Sequence, residues 1–217
     1  MENEKSILPT KLFTWINYLQ SAKFRKIIHY LFYGFIPIIL LATVLLSSST
    51  EIFAQIGEWA WQILILVLFI KPSIKILGFK ELMWLLSYRR ELGILCAYFA
   101  FAHLAGNIFS LKIYKIENYL PFNNFLFPAA IAAIIFIILY LTSNNASMRF
   151  LKKNWKRLQS LSYLLLPLIS MHQILLKQEA DDLLGLFFLN IAFLILKILE
   201  YKKFTLSSLF RPREIKQ

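Results

Sequence analysis

Glycine is scarce in this chain of 217 residues, with six in all, and charged residues make up only 17%. Cysteine occurs once, as Cys96. A lone cysteine excludes an intrachain disulfide and a thiolate metal cluster, and Cys96 reads as a small apolar packing residue. No glycine-rich dinucleotide fingerprint and no phosphate loop occurs, so the chain offers no evident nucleotide site of its own. No Ser/His/Asp set has workable spacing and no carboxylate pair lies inside the apolar runs, which argues against hydrolytic chemistry. Linkers rich in Ser, Gly or Pro are missing too, and this favours one integral domain.

What fills the space is hydrophobic: 59% of the residues. A soluble domain of this size does not have that balance. Apolar stretches of about 17 to 21 residues recur, each long enough to cross a hydrocarbon core of roughly 30 Å as a helix. They predict an all-α integral membrane protein, a six-helix bundle with spans at His29 to Ser49, Gly57 to Ile76, Glu91 to Leu111, Phe122 to Thr142, Leu158 to Leu176 and Leu183 to Leu199. Glu58 and Lys71 stand near the ends of the second span, where both can snorkel to the headgroups. Residues 1–28 are expected to form a cytoplasmic segment, 29–200 the membrane domain, and 201–217 a basic tail. The first segment has no short apolar core followed by a small-residue cleavage site, so it is not expected to be a cleaved signal peptide.

Lysine and arginine outnumber aspartate and glutamate by 24 to 12. The arrangement of that excess argues against nucleic acid as the partner. Basic residues crowd the N-terminal segment, the connection after span two (Lys71, Lys75, Lys80, Arg89, Arg90), the connection after span four (Arg149, Lys152, Lys153, Lys156, Arg157) and the tail (Lys202, Lys203, Arg211, Arg213, Lys216). The other side carries Lys112, Lys115 and Lys177 beside Glu51, Glu117, Glu179, Asp181 and Asp182. This is the positive-inside pattern, and it places both termini in the cytoplasm, N-in and C-in. The basic edges suit anionic lipid headgroups as well. The acidic group at Glu179, Asp181 and Asp182 reads as a solvated outer turn, with weak cation binding as its alternative.

Three histidines remain. His29 falls beside Tyr30 at the mouth of span one, where an amphipathic ring sits at headgroup level. His103 comes 13 positions after Arg90 and His172 comes 15 after Arg157, so both lie roughly 20 to 22 Å from the basic edge. Spans three and five run in the same direction, and their imidazoles share a depth. Two readings follow: axial ligands on either side of a haem iron, or interhelical hydrogen bonds of about 1 kcal/mol each. Phe99, Ala100, Gly106 and Asn107 surround His103, an aromatic and small residues that would let a flat macrocycle lie close. Leu168, Ile169 and Leu176 give His172 an apolar wall.

The stretch "RRELGILCAYFAFAHLAGN", the later "TSNNASMRFLKKNWKRLQSLSYLLLPLISMHQILL" and the preceding "GEWAWQILILVLFIKPSIKI" resemble the ferric reductase-like transmembrane family, over roughly Gly57 to Leu176. Within it they are most similar to the haem-binding membrane subunits of bacterial methionine sulfoxide repair. The resemblance implies a six-helix bundle carrying b-type haem in a bacterial inner membrane. It implies electrons taken from quinol or a cytoplasmic flavin reductase and delivered to a periplasmic molybdopterin reductase. Carried onto this sequence, it makes His103 and His172 the haem ligands. The family's further histidine at the start of span five is replaced here by Gln159, whose neutral amide is a poor iron ligand, so one haem b per chain is expected. At the cytoplasmic edge Arg89, Arg90, Arg157 and Trp155 form a candidate grip for FMN, with an ordinary topology signal as the alternative. A ferric-chelate reductase and a haem-free scaffold or transporter stay open as rival functions.

Overall fold

A computed structural model of the chain describes residues 18–19, 21–78, 80–111, 124–177 and 180–205. The first helix starts where Ser21 supplies an N-cap, its hydroxyl accepting from Phe24 N at 3.2 Å. Helix α1 then runs over Ala22–Leu46, with one π-helical turn at Leu31–Phe35. A link at 47–49 turns the chain, Ser49 caps the next helix, and α2 extends over Thr50–Leu77. Gly78 ends it with φ +74°, a left-handed stop that glycine adopts without a Cβ penalty.

A 3-10 segment, Lys80–Tyr88, leads into α3, Arg89–Leu111. Then follow α4 (Leu126–Thr142), the short α5 (Asn145–Leu151) and α6 (Lys153–Gln159), α7 (Ser162–Lys177) and α8 (Ala180–Tyr201). Helices α4 and α5 meet at a 93° bend, and Lys152, with φ +49°, breaks the chain between α5 and α6.

Five described helical stretches are long and apolar enough to cross a membrane, or six if the bent pair α4 and α5 counts as one span. The protein is therefore all-helical and multi-pass, and the expected spans fall on these helices with three differences. The first starts at Ala22, so the expected boundary at residue 28 lies within a helix. The second starts seven residues before Gly57, because a first stretch containing the polar Glu51 and Gln55 is started by the Ser49 cap despite its low hydropathy. The fifth is interrupted at residues 160–161, between α6 and α7. The expectations for residues 1–17, for the connection containing Lys112, Lys115 and Glu117, for Phe122, for Glu179 and for Arg211, Arg213 and Lys216 lie outside the described residues, as do the side chains of Asp181 and Asp182.

The main core is built where α2, α3, α4, α7 and α8 meet, from Leu64, Leu68, Cys96, Ala97, Ile135, Phe136, Leu165, Leu166 and Phe193. Cys96 is 1% exposed and its thiol donates to Ala60 O at 3.2 Å, which is the packing role expected for it. A second cluster of Leu40, Phe53, Ile56 and Ala102 joins α1 to α2 and α3. Outside, Leu41, Leu45, Phe188 and Leu194 are exposed, an apolar coat suited to hydrocarbon. At one end Glu200, its side chain 7% exposed, meets Lys71 and Lys75 at 3.2 Å each and Lys197 at 2.6 Å, tying α8 to α2.

Candidate functional site: a two-histidine cavity

Helices α2 and α3 approach closely because two glycines remove side chains from their contact. A Cβ on Gly57 would stand 2.5 Å from His103 Nδ1, and one on Gly106 would stand 2.1 Å from the Phe53 ring. Each glycine makes room for one ring. His103 is thereby pressed against α2, where Nδ1 lies 2.7 Å from Phe53 O. A carbonyl oxygen can only accept, so Nδ1 carries the proton and Nε2 keeps its lone pair. Asn107 braces the same turn by donating to His103 O at 2.8 Å.

His172 on α7 repeats the arrangement with a different neighbour. Its Nδ1 donates to Phe125 O at 2.8 Å, at the start of α4, and its ring lies 5.8 Å from that of Phe125. Again Nε2 is left as the available lone pair. Both histidines line one cavity of about 180 Å³ between α2, α3, α4 and α7. Small residues form much of its wall: Ala54, Gly57 and Ala60 from α2, Ala100 from α3, and Ala129, Ala132 and Ala133 from α4. Trp61, Phe101 and Phe136 add aromatic faces, and Glu58 and Gln173 add polar groups. Glu58, Leu104 and Leu176 are exposed, so the cavity has an open side.

Fixing Nδ1 on a carbonyl while leaving Nε2 free is the arrangement that orients histidine as a metal ligand. Two such rings facing one cavity, with no cluster of three His, Cys, Asp or Glu among the described residues, suit an ion that brings its own equatorial ligands. Haem iron is such an ion. The enclosed volume is below the roughly 300 Å³ at the lower end of cofactor pockets, and the cavity is open on the side of Glu58, Leu104 and Leu176.

The expected neighbours divide. Ala100, Ile169 and Leu176 line the cavity, but Gly106 is filled by Phe53, Phe99 packs edge-on against Trp59 at 5.9 Å, and Asn107 holds backbone. Phe53 and Phe125, which orient the two imidazoles, act through backbone carbonyls and carry no side-chain signal. The wall carries one: alanine and glycine at three- and four-residue spacing on α2 and α4 mark faces that admit close approach.

A second cavity of about 430 Å³ opens at the arginine end. Arg89, Arg90, Trp155 and Gln159 line it, whereas Arg157 does not. Most of these groups finish the C-terminus of α4. Trp155 Nε1 donates to Thr142 O at 2.9 Å, Gln159 Nε2 to Thr142 Oγ1 at 3.1 Å, and Arg90 Nε to Ser143 O at 2.9 Å. Arg89 Nε donates to Val67 O at 3.1 Å. His29, stacked on Tyr33 at 4.5 Å, lines neither cavity.

The family described as ferric reductase like transmembrane component matches residues 56–170. That range contains His103 and stops two residues before His172. A Brucella anthropi protein named protein-methionine-sulfoxide reductase heme-binding subunit MsrQ is 33% identical over 141 residues, covering 60% of this chain and 61% of that protein. The Brucella melitensis protein of the same name is 32% identical over 120 residues, 54% of this chain and 53% of that one. Magnetosome protein MamZ of Magnetospirillum gryphiswaldense is 28% identical over 124 residues, 55% of this chain and 19% of that protein. The chain thus spans at most about three-fifths of the curated relatives it matches. No solved structure matches it.

Proposed function

The chain belongs to the ferric reductase-like transmembrane family, and from that premise we propose that it holds one haem b between His103 and His172 and passes single electrons across the membrane. The observation that carries this reading is the shared cavity into which both imidazoles face with Nδ1 bonded to a carbonyl. Two relatives whose names describe heme-binding subunits of a methionine sulfoxide reductase support it.

When bound, the haem supplies the one-electron chemistry. This chain's residues do the rest. His103 Nε2 and His172 Nε2 would hold the iron, Phe53 O and Phe125 O fix the two rings against rotation, and the alanine wall and aromatic faces line the cavity with low-dielectric surface. The single pair of histidines supports one haem, with Gln159 engaged on Thr142 at the level where a second would need a ligand. By the charge pattern the arginine end faces the cytoplasm and the histidine cavity lies in the outer half of the bilayer. Electrons then enter from quinol or a cytoplasmic flavin donor and leave to a periplasmic acceptor, of which a protein-methionine-sulfoxide reductase of the molybdopterin type is the first choice. FMN at the arginine end would meet Arg90 and Trp155 already bonded to the end of α4.

The test is a reduced-minus-oxidised spectrum with a pyridine haemochrome assay on the purified wild type, His103→Ala and His172→Ala. One b-type haem per chain, absent from both variants, is the expected result. A haem-replete preparation without a b-type spectrum would leave the haem-free scaffold as the reading.

A further inference from the structure

Where the start of α1 passes the junction between the 3-10 segment and α3, a groove of about 330 Å³ is lined by Arg25, Lys26 and His29 on one side and Ser87, Tyr88 and Glu91 on the other. We propose that it binds the headgroup of a zwitterionic phospholipid, of the phosphoethanolamine kind.

The groove carries both signs of charge, and among the described residues no ion pair joins them. Glu91 Oε2 is buried without a hydrogen-bond partner, a costly state for a carboxylate oxygen. The guanidinium of its sequence neighbour Arg90 is held elsewhere, with Nε bonded to Ser143 O and Nη1 to Asn145 Oδ1 at 2.8 Å. Arg25 reaches across the groove to Ser87 and Tyr88, its Nη2 3.5 Å from Ser87 Oγ and its guanidinium over the Tyr88 ring at 5.9 Å, and makes no ion pair with Glu91. Tyr88 is itself fixed, its hydroxyl donating to Leu19 O at 2.7 Å. The groove therefore presents cationic donors and an acceptor-only carboxylate as separate stations. An ammonium, with three donors and no acceptor, fits Glu91; a phosphodiester fits Arg25 and Lys26.

Place identifies the carrier of those two groups as a lipid. Tyr30, which also lines the groove, and its neighbours Ile27 and Leu31 are exposed on α1, where the chain passes from basic residues into its apolar span. A tyrosine at such a boundary belongs at headgroup level. Phosphatidylglycerol offers the phosphate without the ammonium, and in its complex Glu91 would stay unpaired beside an anion. The groove is selective on that ground, and it differs from the basic edges, which attract any anionic lipid. It does not depend on the haem reading.

Native mass spectrometry of the full chain, released from mixed micelles containing equal phosphatidylethanolamine and phosphatidylglycerol, tests this. The wild type is expected to retain phosphatidylethanolamine in preference by on the order of tenfold. Glu91→Gln is expected to lose the preference with unchanged haem content, and Arg25→Gln, at an exposed position, to retain less of both lipids. Equal retention of the two lipids by the wild type would overturn the proposal. So would an intact preference in Glu91→Gln, or displacement of bound lipid by millimolar inorganic phosphate, which would assign the groove to a soluble anion. If Glu91→Gln does not fold, the wild-type ratio and Arg25→Gln still decide.

Discussion

His103 and His172 differ in what surrounds them, and this makes single substitutions informative. Gly57 has no room for a methyl group, since its Cβ would fall 2.5 Å from His103 Nδ1. Gly57→Ala is therefore expected to push the ring off Phe53 O and lower haem per chain severalfold while both ligands remain in the sequence, a loss of a few kcal/mol in ring placement. Gly93→Ala is the matched control, because nothing lies within 4 Å of a Cβ there. Pyridine haemochrome titration of the two variants checks this, and equal haem content in both would remove Gly57 from the site. At this scale the sequence exposed only part of the site. The shared depth of the histidines was legible because helix rise is constant and the basic edges supply a baseline. Their carbonyl partners were not, because every residue has a carbonyl and only the fold selects Phe53 and Phe125.

Helices were more legible than their ends. Apolar runs long enough to span a bilayer announce themselves by hydropathy, and the described helices fall on them. Hydropathy discounts the polar first turns of α2, however, and it does not register the breaks at Lys152 and residues 160–161, which depend on backbone geometry. It also gives no hint of how α8 is secured. Glu200 gathers Lys71, Lys75 and Lys197, and Lys197 also reaches Tyr163 OH at 3.2 Å. Glu200→Gln removes the only anion of this group and leaves three ammoniums facing one another. The lysine side chains are 25% to 48% exposed, so screening reduces the cost, which is expected at about 1 to 3 kcal/mol. A lower thermal midpoint in detergent, partly restored when Lys71→Gln is added to Glu200→Gln, is the outcome that checks it. No change in midpoint would mean that the packing of Phe193 and the bonds from Asn190 to Ser170 and Lys197 to Tyr163 hold α8 without the Glu200 cluster.

For the whole molecule the charge pattern predicts which way the bundle faces. Lys and Arg are costly to translocate, and the connections after α2 and around α5 and α6 carry many of them, whereas the link at 47–49 carries none. The arginine-lined cavity, the Glu200 cluster and the lipid groove stand with those basic connections, and the histidine cavity stands toward the link. The expected N-in, C-in orientation would put the two-histidine cavity near the outer surface, within reach of the proposed periplasmic acceptor. Cys96 makes the test simple, since it is buried at 1% exposure and contributes little background to thiol labelling. In a Cys96→Ser chain, a cysteine introduced at Ser48 is expected to react with a membrane-impermeant maleimide in intact spheroplasts, and one at Lys153 only after lysis. The reverse pattern would place the histidine cavity on the cytoplasmic side, and electrons would then have to leave the membrane where reductants are abundant. That outcome would contradict export of electrons to a periplasmic enzyme while leaving the two-histidine haem site itself intact.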